Sequence, residues 1–453
     1  MKPQIHPLEQ TLAQFLSAFP QQRRVAVAFS GGLDSSVLLH GMRACLSGGD
    51  ITLYAFHVHH GLSADADQWS EHCATVCAKL NLPFAMRHVE VNADGGTGIE
   101  EAAREARYAA LGALCAEHDV ELLLTAHHID DQAETVLLQL LRGSGIAGIA
   151  GMEAANRAPK LLGNPALIMA RPLLETSRAA LEDYARTHGI NNIEDESNGD
   201  LRFARNALRL AVMPALEQHF PGFAARFART AQHAHAAQTL LDEVASQDLE
   251  RCHDEDALDL ARMSGMSGER IDNLFRHWFA GRGLRMPSTA WLKEMRSQLT
   301  LAKAEAQLCV THPDCHIRRH RNRVYIVTRE DGREPPVPQD FSWRGEASLH
   351  FPAFRGTLLF EESESGIPAD WLRARTCTIH LREGGERLKL AANRPTRSLK
   401  QHYQANDVPA WEREILPLVS SQGTLLFVAR LGMDCAHFAK TPEACVRLQW
   451  RWD

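Results

Sequence analysis

Val25-Ala26-Val27-Ala28-Phe29-Ser30-Gly31-Gly32-Leu33-Asp34-Ser35-Ser36 is the stretch on which the fold turns. An apolar, β-favouring run ends in two glycines, and a helix-like stretch follows. That order sets bare backbone N–H groups at the end of a strand and the start of a helix. Unpaired amides and the positive end of the helix dipole hold polyphosphate there. Gly31 and Gly32 lack Cβ, so the main chain can turn and approach an anion closely. Ser30, Ser35 and Ser36 bring hydroxyl donors, Leu33 completes the turn, and Asp34 offers a carboxylate for magnesium or one of its waters. No Gly-Lys-Ser/Thr closes the loop, so it is not a Walker A sequence.

Outward from this loop, strand and helix signals alternate from Arg23 to Leu181. Strands are expected at Arg24–Phe29, Ile51–Val58, Phe84–Val91, Glu121–Ala126 and Ala166–Arg171. Helices are expected at Ser35–Leu46, Ala64–Leu80, Gly98–His118 and Asp131–Arg142, with another at Ser177–Thr187. Near-continuous apolar strands separated by helices indicate a Rossmann-like α/β domain, a parallel sheet covered on both faces. Ligands collect beyond the strand C-termini of such sheets, where Ser30–Ser36, His57–Gly61 and His127–Asp131 fall. From Asn206 to about Gln298 the pattern is helical, Ala304–Thr328 reads as short strands, and residues 329–340 form a charged, Pro-rich linker. Strands are then expected at Leu349–Phe360, Thr376–Leu381 and Thr424–Ala429, around a helix near Ser398–Gln404. Three domains follow: 1–215, α/β; 216–330, mainly helical; and 331–453, a small α+β domain.

The chain has 453 residues, 45% hydrophobic and 23% charged, ordinary for a globular protein. No apolar signal-peptide core opens it and no run reaches membrane-spanning length, so the expected location is the cytoplasm. Its ten cysteines include no Cys-x-x-Cys pair, which disfavours zinc-ribbon, iron–sulfur and thioredoxin-type readings. A net charge of −7 argues against coating nucleic acid by bulk charge. Two local stretches are nevertheless basic: Arg318, Arg319, Arg321 and Arg323, then Arg382, Arg387, Lys389, Arg394, Arg397 and Lys400.

A second constellation reads Thr125-Ala126-His127-His128-Ile129-Asp130-Asp131-Gln132-Ala133-Glu134-Thr135. Asp130 and Asp131 open a helix, and Glu134 lies one turn on, on the same side. Acids in a first turn also serve as N-terminal caps. His57, His59 and His60 do not make a zinc site, since strand alternation sends His59 and His60 opposite ways and no fourth ligand is evident.

Ser-Gly-Gly-x-Asp-Ser resembles the PP-loop of the ATP pyrophosphatase superfamily, which cleaves ATP between the α and β phosphates. The rest narrows the likeness. Ala126–Gly148 with His127, His128, Asp130, Asp131, Gln132, Glu134, Thr135, Arg142, Gly143 and Gly145 resembles the tRNA(Ile)-lysidine synthetase signature. So do His57–Leu62, Gly98-Ile99-Glu100 with Arg104, Arg107 and Tyr108, and Asp195-Glu196-Ser197-Asn198 with Arg205, Asn206 and Arg209. Gly384-Gly385-Glu386-Arg387-Leu388 and Lys400 to Pro417 resemble that family's C-terminal domain.

The resemblance implies a PP-loop ATPase domain and a set of partners: ATP, magnesium, free lysine and a tRNA(Ile) with a CAU anticodon. The C2 oxygen of the wobble cytidine is adenylated, and the ε-amine of lysine then displaces AMP to give lysidine. On that reading Ser30–Ser36 and Asp34 with magnesium manage the phosphates, and His57 lines the adenine side. Asp131 with Asp130 or Glu134 meets the lysine ammonium, and Arg205 an anion, either the substrate carboxylate or phosphate. His128 or a carboxylate takes the amine proton. Arg318, Arg319, Arg387, Lys389, Arg397 and Lys400 are the expected tRNA-backbone contacts. tRNA thiolation, the rival on the same kind of loop, commonly uses Cys-x-x-Cys cysteines that this chain lacks.

Overall fold

A computed structural model describes residues 6–46, 49–61, 65–90, 99–193, 204–302, 308–329, 335–439 and 444–453, with only the backbone given at 99 and 100. The chain forms two compact units, Met1–Glu243 and Val244–Asp453.

The first unit is built on helices α1 (Pro7–Ser17), α2 (Leu33–Cys45), α3 (Ala66–Leu80), α4 (Ile99–Glu117), α5 (Ile129–Leu141) and α6 (Arg178–His188). Strands β1 (Arg24–Ala28), β2 (Thr52–His59), β3 (Phe84–His88), β4 (Leu122–Leu124), β5 (Ala155–Arg157) and β6 (Ile168–Ala170) form one sheet in the order β3-β2-β1-β4-β6-β5. Every neighbouring pair is parallel except β5 with β6. The five predicted strands are all present, each shorter or shifted by a few residues; α1 and the antiparallel β5 were not expected.

Alternation along β1 explains why the sheet is covered twice. Val25 and Val27 face a core with Leu12, Leu38, Leu39, Leu181 and Tyr184, while Ala26 faces the other, with Phe56, Tyr108, Leu111 and Leu114. Strand order reverses at β1, which lies between β2 and β4. The loops after β1 and β4 therefore diverge and leave a crevice at the sheet's C-terminal edge.

In the second unit, Gly268–Gly281 and Thr289–Leu301 are helices packed on an antiparallel sheet of five strands, ordered His253–Asp254, Ala257–Asp259, Arg323–Thr328, Cys315–His320 and Cys309–Thr311. The short hairpin at 253–259 interrupts a region expected to be helical throughout. Two further antiparallel sheets, of five and four strands, enclose a core containing Leu358, Ile379, Leu399, Tyr403 and Leu426. The strand expected at Leu349–Phe360 is a hairpin, broken where Pro352–Phe354 turns and Arg355 takes φ 56°.

Candidate active site

The phosphate loop is a rigid turn braced by its own hydroxyls. Ser35 Oγ donates to Gly32 O at 3.0 Å, and Ser36 Oγ donates to Gly31 O at 3.3 Å. Ser30 and Ser35 hydroxyls lie 3.1 Å apart. Ser36 is fully buried, so it holds the turn and is not a phosphate donor, contrary to expectation. Gly31 takes φ 87°, a left-handed conformation, and its carbonyl also accepts Ile193 N–H at 2.9 Å. A Cβ there would sit 2.9 Å from Ile193 Cδ1 and 3.0 Å from Cys73 Sγ. Gly32 caps α2 without a side-chain hydrogen bond, which leaves the first amides of that helix open.

His128 caps α5 and accumulates carboxylates. Its Nε2 lies 3.6 Å from Asp34 Oδ2 and 3.4 Å from Asp131 Oδ2, and its Nδ1 lies 3.4 Å from Asp130 Oδ2. Burial pushes the ring down, but the Asp130 and Asp34 contacts and the Asp131 charge outweigh it and lift its pKa to about 10. The Asp130 N–H, 3.3 Å from Nδ1, would need a neutral ring as acceptor; three carboxylates favour the charged one. A protonated ring has no lone pair to offer, which argues against the expected role of His128 as base.

His127 is the opposite case. Burial outweighs the Asp131 charge, and Arg171, Arg205 and Arg107 push the same way, so its pKa falls to about 4. Nδ1 is 2.9 Å from Thr125 Oγ1, and that hydroxyl donates to Ala170 O at 3.4 Å. The chain of donors makes Nδ1 the N–H and leaves the lone pair on Nε2.

Glu134 is 1% exposed and saturated: Arg209 reaches both oxygens, at 2.6 and 3.0 Å, and Arg205 Nε reaches Oε2 at 3.0 Å. Arg209 Nη2 also donates to Asp131 Oδ1 at 3.1 Å, and the His128 backbone N–H donates to Oδ2 at 3.0 Å. Asp130 Oδ2 accepts the backbone N–H of Arg178 at 3.1 Å and so caps α6. Asp130 Oδ2 and both Glu134 oxygens thus have protein partners, as both Asp131 oxygens do.

One cleft of about 790 Å³ gathers Ser30, Gly32, Leu33, Asp34, Ser35, His57, His127 and Asp131. His57 Nδ1 donates to Phe29 O at 2.8 Å, and burial lowers its pKa, which makes it a neutral wall. Arg107, Tyr108, Arg178, Glu182 and Arg209 also line the cleft, and none had been assigned a role. Arg209 was legible, because it follows Arg205 at i+4. Arg178 had no sequence signal beyond its place after the N-cap Ser177. Arg205 is not among the lining residues. His59 Nε2 pairs with Asp67 at 3.0 Å, and no metal-binding group of three or more His, Cys, Asp or Glu occurs among the described residues. Gly98 and Asp195–Asn198 lie outside the described residues.

The first basic stretch is largely engaged within its own unit. Strand Cys315–His320 alternates, so Arg319 points inward with Cys315 and Ile317. It is 8% exposed and donates to the carbonyls of Leu299, Ala302 and Arg321 at 2.6–2.8 Å. That removes Arg319 from the expected RNA surface. Arg318 lies 5.5 Å over the Trp411 ring, Arg321 pairs with Asp407 at 2.8 Å, and Arg323 pairs with Asp254 at 2.6 Å. By contrast Arg387, Arg394, Arg397 and Lys400 are exposed, and Lys389 is half-buried beside the Arg387–Leu388 and Arg397–Ser398 hairpin.

A parallel sheet whose first strand runs into a lysine-free Ser-Gly-Gly phosphate loop defines a PP-loop ATPase, and the PP-loop domain model matches residues 5–216. The TilS substrate binding domain model matches 258–325 and the TilS substrate C-terminal domain model matches 377–450. The chain belongs to the tRNA(Ile)-lysidine synthase family. It is 44% identical over 420 residues to the tRNA(Ile)-lysidine synthase of Ralstonia nicotianae, across 90% of this chain and 89% of that one. Its identity to the Burkholderia pseudomallei protein of the same name is 40% over 475 aligned positions, covering 97% and 95% of the two chains. Among the described residues, no helix is long and apolar enough to cross a membrane.

Proposed function

We propose that this enzyme uses ATP to join free lysine to C2 of the wobble cytidine of a tRNA(Ile) with a CAU anticodon, in the cytoplasm, through an adenylated cytidine. The observation that carries the reading is the cleft lined by the open phosphate loop, neutral His127 and the Asp131–Arg209 pair. Residues 1–215 would perform the chemistry, and 216–330 and 331–453 would hold the tRNA.

In the first half-reaction the cytosine C2 oxygen attacks the α-phosphorus, the Pα–O bond to the β-phosphate breaks, and pyrophosphate departs. The open α2 amides and the positive His128 stabilise charge on that leaving group. Asp34 Oδ1 is buried without a hydrogen-bond partner, so this carboxylate would serve to hold a magnesium ion. Magnesium, when bound there, would neutralise phosphate charge.

In the second half-reaction the ε-amine attacks C2, the C2–O bond breaks, and AMP leaves with the oxygen. The ammonium must first shed a proton to expose its lone pair, and we assign its binding to Asp131. Arg209, which lines the cleft, takes the anion role expected of Arg205. Arg318, Arg387, Lys389, Arg397 and Lys400 are assigned to the tRNA backbone, and an unpaired anticodon base needs no duplex opening.

The test supplies ATP, the tRNA and labelled lysine. AMP and pyrophosphate in equal amounts, with label in the tRNA, are expected; ADP and orthophosphate would overturn the reading.

A further inference from the structure

The phosphate loop brings no cation, since Asp34 is the one charged residue between Ser30 and Ser36. Pyrophosphate leaving such a loop requires positive charge from another part of the chain. The fold delivers an arginine there. Arg178 is the first residue of α6, where its backbone N–H is fixed by Asp130 Oδ2 at 3.1 Å and the helix start by Ser177 Oγ, which accepts Ala180 N–H at 3.3 Å. Its Nη1 lies 3.8 Å from Asp34 Oδ2, its Nε donates to Glu182 Oε1 at 3.1 Å, and all three side chains line the cleft.

Stability does not explain this placement. A cation in the first turn opposes the helix dipole, and the Glu182 pair is about half exposed and so contributes little. The guanidinium keeps donors beyond these two contacts, in a planar fork suited to phosphate. Beside it, Asp34 Oδ1 is a buried carboxylate oxygen without a hydrogen-bond partner, so this corner of the cleft holds a polar atom that its own side chains do not satisfy.

We infer that Arg178 grips the β- and γ-phosphates of ATP and stays on the pyrophosphate as the Pα–O bond breaks. The inference rests on the adenylation reading above. Asp130 is then a positioning residue: by capping α6 it fixes where the guanidinium starts.

The experiment compares wild type, Arg178→Ala and Arg178→Lys. It measures AMP formation, direct binding of inorganic pyrophosphate by calorimetry, tRNA affinity and thermal melting. Arg178→Ala should lower kcat/KM for ATP about 100-fold and weaken pyrophosphate binding about tenfold or more, with tRNA affinity and melting near wild type. Arg178→Lys should recover part of both losses, and it also serves as the test protein if the alanine variant does not fold. Wild-type pyrophosphate affinity in both variants, alongside wild-type enzyme that makes AMP, would overturn the role of Arg178 and leave adenylation standing. Wild-type enzyme making ADP would instead overturn the adenylation reading, and the Arg178 assignment with it.

Discussion

Arg209 Nε donates to Glu134 Oε1 at 2.6 Å, and the carboxylate it meets is almost wholly shielded from water. Glu134 stands on α5 and Arg209 in the single π-helical turn Leu208–Val212 that follows Ala204–Ala207. The pair, joined by Arg205, fastens this turn to α5, and Arg209 also holds Asp131.

Removing the shared carboxylate leaves two guanidinium groups facing a site with too little negative charge. Glu134→Ala should destabilise the protein by about 3 kcal/mol, read as a lower urea midpoint, and AMP formation should fall with it. Arg205→Ala should cost less stability than Arg209→Ala, because Arg209 makes three of the four close hydrogen bonds in this network. Equal losses for the two arginine variants would contradict this division.

Gly31→Ala places a side chain at a left-handed φ and against Ile193 and Cys73. The strain should cost about 1–3 kcal/mol. Since the loop amides move with it, KM for ATP should rise about tenfold or more. Thermal melting and ATP titration of AMP release check both halves, and an unchanged KM would show that the loop tolerates the shift.

The two basic stretches should respond differently to neutralisation. Arg319→Ala should lower stability and leave the salt dependence of tRNA binding unchanged, since its guanidinium serves backbone carbonyls. Arg387, Lys389 and Arg397 changed together to alanine should weaken tRNA binding. Their loss should flatten the plot of log affinity against log salt by about 0.7–0.9 for each phosphate contact removed. Filter binding across a salt series measures this, and an unaltered slope would take that hairpin out of the RNA interface.

His127 predicts an acid-sensitive window. The folded ring resists protonation down to about 4, whereas an unfolded histidine accepts a proton near 6.5. Between those values the unfolded state binds more protons, so stability falls as pH drops from about 6.5 to about 4. Asp131 opposes the effect, while Arg171, Arg205 and Arg107 reinforce it. Urea midpoints for wild type and His127→Gln should diverge in slope across this window, the variant losing less stability on acidification. Parallel curves would mean that the ring is charged in the folded protein.

Some features are written locally. Strand β1, the glycine turn and helix α2 follow from an apolar run, two residues without Cβ and a helix-forming stretch, all neighbours in the chain. The parallel sheet follows from repeating that pattern, and the crevice after β1 and β4 follows from the sheet. His57, Asp34, His127 and Asp131 are therefore legible in the sequence as residues of that edge.

Partnership was not legible. His127 and His128 are adjacent and chemically identical, yet one is neutral and the other charged, because the charges of Arg171, Arg205 and Arg107 act on one ring while three carboxylates lie within 3.6 Å of the other. Arg319 and Arg318 are likewise adjacent, and strand alternation buries one and leaves the other over Trp411. The sequence by itself determined the α/β scaffold, the phosphate loop and the sheet edge where chemistry gathers, since these depend on near-neighbour periodicity and turn geometry. Only the tertiary structure decided which charges are neutralised, which ring keeps its lone pair and which arginine reaches the phosphate loop. Those outcomes depend on distances between residues far apart in the chain, and electrostatic energy changes steeply with such distances and with burial.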